Sequence, residues 1–233
     1  MNDKRSGTRL LAAGLILLAA FILWTLLIRT VDVQAIGPKE TKVGFAALNG
    51  WFHRLTGVHM TIYTITDWLG LIPILICGVF GVLGLAQWIR RKRLFKVDAD
   101  ILLLGVYYIL VIMAYLVFEM IPINYRPVLI EGHLEASYPS STTLLVLSVM
   151  PTLVFQVDRR VKAPWIRHAL VLFSILFSVF MVIGRTVAGV HWLTDIAGAE
   201  ILSAALYLLY KASALLLAEK KAEQQSTILK NMR

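Results

Sequence analysis

The sequence has 233 residues, of which 58% are hydrophobic and 16% charged, and 23 lysines and arginines outnumber 14 aspartates and glutamates. An ordinary soluble domain is about 45–50% apolar, so the composition excludes an intrinsically disordered chain, a soluble nucleic-acid-binding protein and a small disulfide-rich secreted domain. The apolar residues lie in long runs, which predicts a polytopic membrane protein.

Six apolar runs are long enough, or nearly so, to cross a membrane as helices. A span needs about 20 residues, and a helix satisfies its own backbone hydrogen bonds in lipid. The predicted spans, within a single membrane domain of residues 1–233, are residues 10–28, 67–89, 101–121, 141–157, 165–183 and 192–217. The predicted fold is therefore all-α, an integral membrane bundle of six transmembrane helices.

The loop between the first two spans, residues 29–66, contains an amphipathic segment. Its apolar residues recur near helical spacing, at Val43, Phe45, Leu48, Trp51, Phe52 and Leu55. This pattern is typical of a helix that lies on the membrane surface with one face in the interface. We expect a short interfacial amphipathic helix here, with a structural role.

Basic residues are distributed unevenly among the predicted loops. The N-terminus, the second-to-third loop, the fourth-to-fifth loop and the tail carry 16 of them: Lys4, Arg5, Arg9; Arg90, Arg91, Lys92, Arg93, Lys96; Arg159, Arg160, Lys162, Arg167; Lys220, Lys221, Lys230 and Arg233. The opposite side carries six. Loops rich in lysine and arginine face the cytoplasm, so both termini are predicted to be cytoplasmic and the loops after spans one, three and five to face outward. The positive charge then implies membrane lipids as partners, and no nucleic acid.

Polar residues collect at the predicted outward ends of spans three to six. They are Glu119, Asn124, Tyr125 and Arg126; Tyr138 with the run from Ser140 to Thr143; Arg185; and His191, Thr194 and Asp195. Two arginines can hold phosphate oxygens in bidentate fashion. The serines and threonines after Pro139 predict a helix start, whose backbone N–H groups also bind anions. Together these features predict a site for an oxyanion.

His191 and Asp195 are the candidate chemical groups of this site. Their i, i+4 spacing places them on one face if the segment is helical. The carboxylate can then accept a hydrogen bond from one ring nitrogen and leave the other free to attack a substrate.

These residues form three short motifs in a fixed order. Gly184, Arg185, His191 and Asp195 fit S-R-x5-H-x3-D with glycine in place of serine; Glu119, Arg126 and Pro127 fit K-x6-R-P with glutamate in place of lysine; Pro139 to Thr142 fit P-S-G-H with Thr142 in place of histidine. With six spans, the sequence resembles the type 2 phosphatidic acid phosphatase superfamily, the six-span lipid phosphate phosphatases.

The resemblance implies a membrane lipid phosphatase that hydrolyses a phosphate monoester or diphosphate lipid at the outer membrane face. His191 would be the nucleophile that forms a phosphohistidine, oriented by Asp195, and Arg185 would complete the catalytic set. The residues implied in binding the substrate phosphate are Arg126, Ser140, Ser141 and Thr142. No metal and no cofactor are expected. The plasma membrane, and a bacterial one in particular, is the favoured location.

The departures at positions 119 and 142 leave several possibilities open. Threonine cannot protonate a leaving group, and loss of a general acid slows a reaction by about 10²–10⁴-fold, although a diphosphate, with its better leaving group, suffers less. His133 either stands in for the missing acid or is a solvated loop residue. Glu119 either pairs with Arg126 or Arg185 or is protonated in the site, or faces away in a structural ion pair.

Two other functions compete with a phosphatase. A non-catalytic relative would keep the anion site to bind or help move phospholipid head groups, and the residues at positions 119 and 142 favour this alternative. A transporter or channel would carry polar residues throughout the membrane depth. The spans are apolar apart from Glu200, Lys211 and scattered serines and threonines, so a transporter or channel is less favoured.

Overall fold

The computed structural model describes residues 2–231, with side chains from residue 5 to residue 227. The side chains of Lys4 and Lys230, and the whole of Arg233, lie outside the described residues. The α-helices are α1 (Asn2–Thr30), α2 (Ala46–Thr56), α3 (Met60–Leu69), α4 (Leu71–Arg91), α5 (Ala99–Met120), α6 (Ser141–Arg160), α7 (Pro164–Val187) and α8 (Leu193–Asn231). Short 3-10 turns occupy Pro38–Glu40 and Leu94–Lys96. The predicted all-α fold is confirmed.

Six helical segments of the described chain are long and apolar enough to cross a membrane. They are Arg5–Thr30, Met60–Arg91, Ala99–Met120, Ser141–Arg160, Pro164–Val187 and Leu193–Thr227. The second starts earlier than its apolar run because polar residues such as Thr61 and Thr64 are accommodated in the first turns of α3. The sixth extends past Leu217, since the alanine, glutamate, lysine and glutamine that follow are good helix formers.

The second span is a pair of helices, α3 and α4, that meet at Gly70. Pro73 has no N–H to donate to the Leu69 carbonyl, and its ring crowds that carbonyl. The helix is interrupted there and begins again at Leu71. Asp67 lies in the last turn of α3, just before this interruption.

α6 is the central helix of the bundle. Of its apolar stretch 56% is buried, against at most 33% for the other spans. Buried polar side chains link it to its neighbours: the hydroxyls of Thr152 and Tyr108 of α5 lie 2.8 Å apart, and Gln156 Nε2 donates to the Tyr210 hydroxyl of α8 at 2.8 Å. These hydrogen bonds satisfy polar groups that lipid could not.

α1 packs along α8 through two glycines. A Cβ atom at Gly7 would lie 2.8 Å from Leu216 Cδ2, and one at Gly14 would lie 2.9 Å from Leu209 Cδ2. Small residues at such positions let two apolar helices approach closely. α8 begins beside the polar residues of the predicted oxyanion site, and this packing holds α8 along its length.

One end of the bundle, formed by residues 90–100 and 159–167, carries several ion pairs, and we call it the basic end. Arg160 Nη2 lies 2.7 Å from Asp100 Oδ2, and Arg91 Nη1 lies 2.8 Å from Asp98 Oδ1. The Arg91 hydrogen bond holds the pKa of Asp98 below its ordinary value. These contacts join α4, α5 and α6 at the basic end. The opposite end of the bundle carries the polar residues of the predicted oxyanion site, and we call it the site end.

The predicted amphipathic helix is present as α2. Leu48, Trp51 and Leu55 are exposed along one side, whereas Asn49 is buried. Asn49 Nδ2 donates to Thr194 Oγ1 at 3.0 Å, and the Thr194 N–H donates to Asn49 Oδ1 at 3.3 Å. α2 is therefore attached to the first turn of α8.

Candidate active site

The site end is built from two loops, residues 121–140 and 188–192, packed against α3. The first loop folds back on itself, because the Arg126 N–H donates to the Glu135 carbonyl at 3.1 Å and the Ser137 N–H donates to the Asn124 carbonyl at 2.9 Å. This pairing carries Asn124, Arg126 and Ser137 to the start of α8, where His191 and Asp195 lie.

His191 lies just before α8, not on it. The helix begins at Leu193, so the prediction that His191 and Asp195 share a helical face is wrong. Asp195 instead turns back, and its Oδ2 accepts a hydrogen bond from the Trp192 N–H at 2.9 Å. A carboxylate at the third helical position commonly satisfies the N–H of the capping residue in this way.

Ser137 lies between His191 and Asp195. His191 Nδ1 is 3.0 Å from Ser137 Oγ and 3.1 Å from the Ser137 carbonyl oxygen. The Ser137 hydroxyl donates to Asp195 Oδ2 at 2.5 Å, and Asn124 Nδ2 donates to Asp195 Oδ1 at 3.1 Å. The buried carboxylate therefore reaches the imidazole through a serine and does not touch it directly.

The second ring nitrogen of His191 faces a guanidinium group. Nε2 lies 2.9 Å from Arg185 Nη2, and because arginine has only donors, Nε2 must accept. The proton of the neutral ring is then on Nδ1, which donates to Ser137. Burial, and then the positive charges of Arg126 and Arg185, hold the pKa of His191 well below its ordinary 6.5. The site thus holds a neutral imidazole with its lone pair on Nε2.

Arg126 and Arg185 present buried donors without acceptors. Nε and Nη1 of each form no hydrogen bond, and these four atoms are the majority of the seven such side-chain atoms in the described residues. Both guanidinium groups lie over the Tyr63 ring, at 5.7 and 5.0 Å from its centroid. Carboxylates lie near them, Glu135 Oε2 3.1 Å from Arg126 Nε and Asp67 Oδ1 3.7 Å from Arg185 Nη1, without hydrogen-bond geometry.

His133 lies where a solvated loop residue would lie, and Glu119 forms none of the ion pairs that were considered for it. Glu119 is exposed and lines a cavity of about 10 Å³ beside His191, and no ion pair joins it to another described residue. Arg126 is paired with Glu135 instead. His133 is exposed at a turn closed by backbone hydrogen bonds to Ile130, and no described contact joins its side chain to the site.

The residues at the start of α6 are divided among three environments. Ser140 is fully buried, and its hydroxyl donates to Thr143 Oγ1 at 3.0 Å. Ser141 lines the small cavity with His191. Thr142 faces α3, where its methyl group would lie 3.3 Å from a Cβ at Gly70. The structure therefore brings Ser141 next to His191, and neither Ser140 nor Thr142 contacts it.

A second, apolar cavity of about 460 Å³ lies between α3, α4, α5 and α6. Tyr115, Ser141 and Leu144 line both this cavity and the small one beside His191. Asp67 and Thr142 lie in its wall. A space large enough for an apolar chain therefore adjoins the small cavity beside His191.

Gly184 is where α3 and α7 approach each other. A Cβ atom there would lie 2.7 Å from the Thr66 side-chain methyl group, so the serine of the third motif would not fit without movement of α3. Gly184, which stands where the third motif has serine, thus allows a close contact between α3 and α7. That contact places Asp67 near Arg185.

Four further residues of the site were not singled out from the sequence, Tyr63, Asp67, Glu135 and Ser137, and Asn124 was noted only as one of the polar residues at the outward ends of the spans. Asn124 and Ser137 are close in sequence to the first two motifs, but nothing marks them as partners of Asp195. Asp67 carried a usable signal, because a carboxylate at the end of an apolar run is costly unless it has a role. Tyr63 carried none.

The chain is similar in sequence to a known protein family and in fold to a solved membrane protein. The family model described as the PAP2 superfamily matches residues 105–215, which include every predicted site residue. The fold is similar to the crystal structure of a transmembrane PAP2-type phosphatidylglycerolphosphate phosphatase from Bacillus subtilis, with a TM-score of 0.56 and 15% identity over 85% of this chain and 94% of that one. No curated protein matches significantly. The predicted resemblance is confirmed.

Proposed function

From the PAP2 superfamily match we infer that this multi-pass membrane protein is a lipid phosphatase, and we propose that it works through a His191 nucleophile. The observation that carries the proposal is the neutral His191, whose lone pair on Nε2 faces Arg185 among buried guanidinium donors that have no acceptor. A terminal phosphate supplies the acceptors these donors lack, through charge-assisted hydrogen bonds. The proposed substrate is a phosphate monoester or diphosphate lipid.

The first step exchanges the Arg185 hydrogen bond for the substrate. As the guanidinium turns from Nε2 to the phosphate oxygens, the lone pair attacks phosphorus, a P–N bond forms and the P–O bond to the lipid breaks. The electron pair leaves with the lipid oxygen. The Nδ1 proton stays on the ring, hydrogen-bonded to Ser137, and Asp195 stabilises the resulting cation through the serine hydroxyl.

The second step is hydrolysis of the phosphohistidine by water. Water adds to phosphorus, the P–N bond breaks and its electrons return to Nε2, while the proton of the water passes to a base. Arg126 and Arg185 stabilise the charge on the phosphoryl oxygens in both steps. We propose that the arginines and the start of α6 supply the positive field, so that no metal or cofactor is needed. The described residues contain no group of three His, Cys, Asp or Glu side chains able to hold a metal ion.

We place the protein in a plasma membrane, bacterial in origin, with both termini in the cytoplasm and the site end outward. The excess of lysine and arginine at the basic end supports this orientation. The single membrane domain then presents its site to lipids of the outer leaflet.

The test is phosphate release by detergent-purified protein, with a monoester lipid panel and a polyprenyl diphosphate as substrates. His191→Ala should lower turnover at least about 10³-fold, since it removes the nucleophile. Arg185→Ala should cost about 10²–10³-fold through loss of charge stabilisation. The matched controls are Arg90→Ala, at an exposed residue of the basic end, and His168→Ala, at an exposed residue next to it in α7.

A non-catalytic lipid-binding function remains the second candidate, because Glu119 and Thr142 replace the lysine and histidine of the family motifs. In that case the folded wild-type protein would bind phosphate lipids and release no phosphate from any of them. Unchanged turnover in folded His191→Ala protein would instead contradict the histidine mechanism while leaving a phosphatase in place.

A further inference from the structure

Asp67 lies at the boundary between the arginine pair and the apolar cavity. Its Oδ1 is 3.7 Å from Arg185 Nη1, the nitrogen next to the one that contacts His191. It also lines the apolar cavity together with Thr142, and no other carboxylate among the described residues does so. Its side chain is 57% exposed, so water can reach it. Asp67 is therefore close to the place where a lipid chain would join the bound phosphate.

Backbone and side-chain contacts fix α3 in this position. Its N-terminal end is tied to the loop before His191, since the His59 N–H donates to the Ala188 carbonyl at 3.0 Å. Gly189 has a φ of +68°, and a Cβ there would lie 1.9 Å from the Gly57 carbonyl oxygen. At the other end, Gly184 allows the close contact with Thr66. The placement of Asp67 beside Arg185 thus depends on contacts along the whole helix.

The motif residue that should exchange protons is absent. Position 142, where the family motif has histidine, holds a threonine, and its hydroxyl cannot accept or give a proton near neutral pH. A carboxylate such as that of Asp67 accepts protons and, unlike the missing histidine, supplies none to a leaving group. A site with a base and no acid suits a substrate whose leaving group departs without a proton.

We propose that Asp67 is the base that activates water for hydrolysis of the phosphohistidine, and that diphosphate lipids are therefore the preferred substrates. This inference rests on the proposed function. In the first step His191 Nε2 bonds to the terminal phosphorus, and the P–O bond breaks to release the lipid monophosphate as an anion, with no proton transfer. In the second, a water oxygen bonds to phosphorus, its proton goes to the Asp67 carboxylate, and the P–N electrons return to Nε2. Asp67 then releases the proton to solvent.

The experiment follows the phosphoenzyme in full-length, detergent-purified protein. A polyprenyl diphosphate labelled in its terminal phosphate is mixed with wild type, Asp67→Asn and Asp67→Glu, and the reaction is stopped in alkali, in which phosphohistidine survives. Asp67→Asn should form the phosphoenzyme at close to the wild-type rate, accumulate it to nearly one per chain, and lose about 10²–10⁴-fold in steady-state turnover. Asp67→Glu keeps a carboxylate and should retain measurable turnover. Glu131→Gln removes an exposed carboxylate from a nearby turn and is the control.

The outcomes separate this inference from the proposed function. A slow Asp67→Asn enzyme without accumulated phosphoenzyme would assign Asp67 to holding Arg185 and would overturn the base role. Turnover of Asp67→Asn within threefold of wild type would overturn it as well, with His191-dependent catalysis intact. If wild type turned over monoesters as fast as diphosphates, the inferred preference would be wrong. Absence of turnover in the wild-type protein on every lipid would overturn the proposed function itself.

Discussion

Among the individual residues, His191 is the one whose surroundings set the pH range of the proposed reaction. The ring is buried and faces the positive charges of Arg126 and Arg185, all of which disfavour the imidazolium form. Its pKa is therefore lowered well below 6.5, and the neutral nucleophile persists as the pH falls through that value. A carboxylate in direct contact with the ring would instead raise the pKa of a histidine. Here Asp195 reaches the ring only through Ser137.

We predict that kcat/KM, corrected for the separately measured titration of the substrate phosphate, is flat from about pH 7.5 to below 6.5 and declines only in more acid solution. Arg126→Gln removes one of the two charges, so it should raise the pKa of His191 and move the acid limb to higher pH, whatever its effect on KM. An acid limb at or above pH 6.5 in the wild-type protein would contradict the prediction.

The motif residues could be predicted from the sequence, but their partners could not. Arg126, Arg185, His191 and Asp195 carry their own signals, because they occur at the spacing of the motifs and on the side of the spans that has few other basic residues. Ser137 is one serine among several, and only the folding of the 121–140 loop brings its hydroxyl between the imidazole and the carboxylate. The direct hydrogen bond expected between those two side chains does not form, because the Asp195 carboxylate accepts from the Trp192 N–H and so caps α8.

Among the helices, the contact between α3 and α7 is the one on which the position of Asp67 depends. We predict that Gly184→Ala pushes α3 away, because the new Cβ would meet the Thr66 methyl group at 2.7 Å. Overpacking of this kind costs about 1–3 kcal/mol, so a lower midpoint of thermal unfolding is expected, together with about a tenfold loss of turnover as Asp67 leaves Arg185.

A second substitution separates this contact from a general defect. Thr66→Ser removes the methyl group and keeps the hydroxyl, which donates to the carbonyls of Ile62 and Tyr63. The Gly184→Ala/Thr66→Ser protein should recover most of its stability and turnover. Failure of Thr66→Ser to restore either one would show that α3 is not positioned by this contact.

The helices themselves were largely predictable, since each membrane span is an apolar run of sufficient length. Their ends were less so. The break at Gly70 results from the local effect of Pro73 on one carbonyl, which a count of apolar residues does not register. Likewise, the start of α8 at Leu193 is determined by capping at Trp192, so the i, i+4 spacing of the two functional residues did not describe a helical face.

For the whole molecule, the proposed orientation in the membrane determines which leaflet the site faces. We predict that the turn near residue 131 faces outward and that the end of α8 faces the cytoplasm, because lysine and arginine are concentrated at the basic end. In a Cys77→Ala protein, Glu131→Cys should react with a membrane-impermeant thiol reagent on intact cells. Ser226→Cys should react only after permeabilisation. The opposite labelling pattern would invert the proposed topology.

The site also uses residues outside the segment that the family model matches. Residues 105–215 match the family model, yet Tyr63 and Asp67 come from α3, and Asn49 of α2 holds the first turn of α8. The motifs of the matched segment lie close together and could be predicted from the sequence. The contribution of α2 and α3 to the site could not, since their contacts depend on how the spans pack.

The hydrogen bond from Arg185 to His191 Nε2 has a consequence for selectivity. A nucleophile at the surface of a bilayer meets phosphodiester lipids constantly, and attack on them would damage the membrane that holds the enzyme. The resting contact with Arg185 must first be exchanged for one of at least equal strength. A terminal phosphate offers adjacent charged oxygens that suit a guanidinium group, whereas a phosphodiester has a single negative charge and two esterified oxygens. In the reaction we propose, the contact with Arg185 therefore admits terminal phosphates to His191 and excludes the phosphodiester lipids of the surrounding membrane.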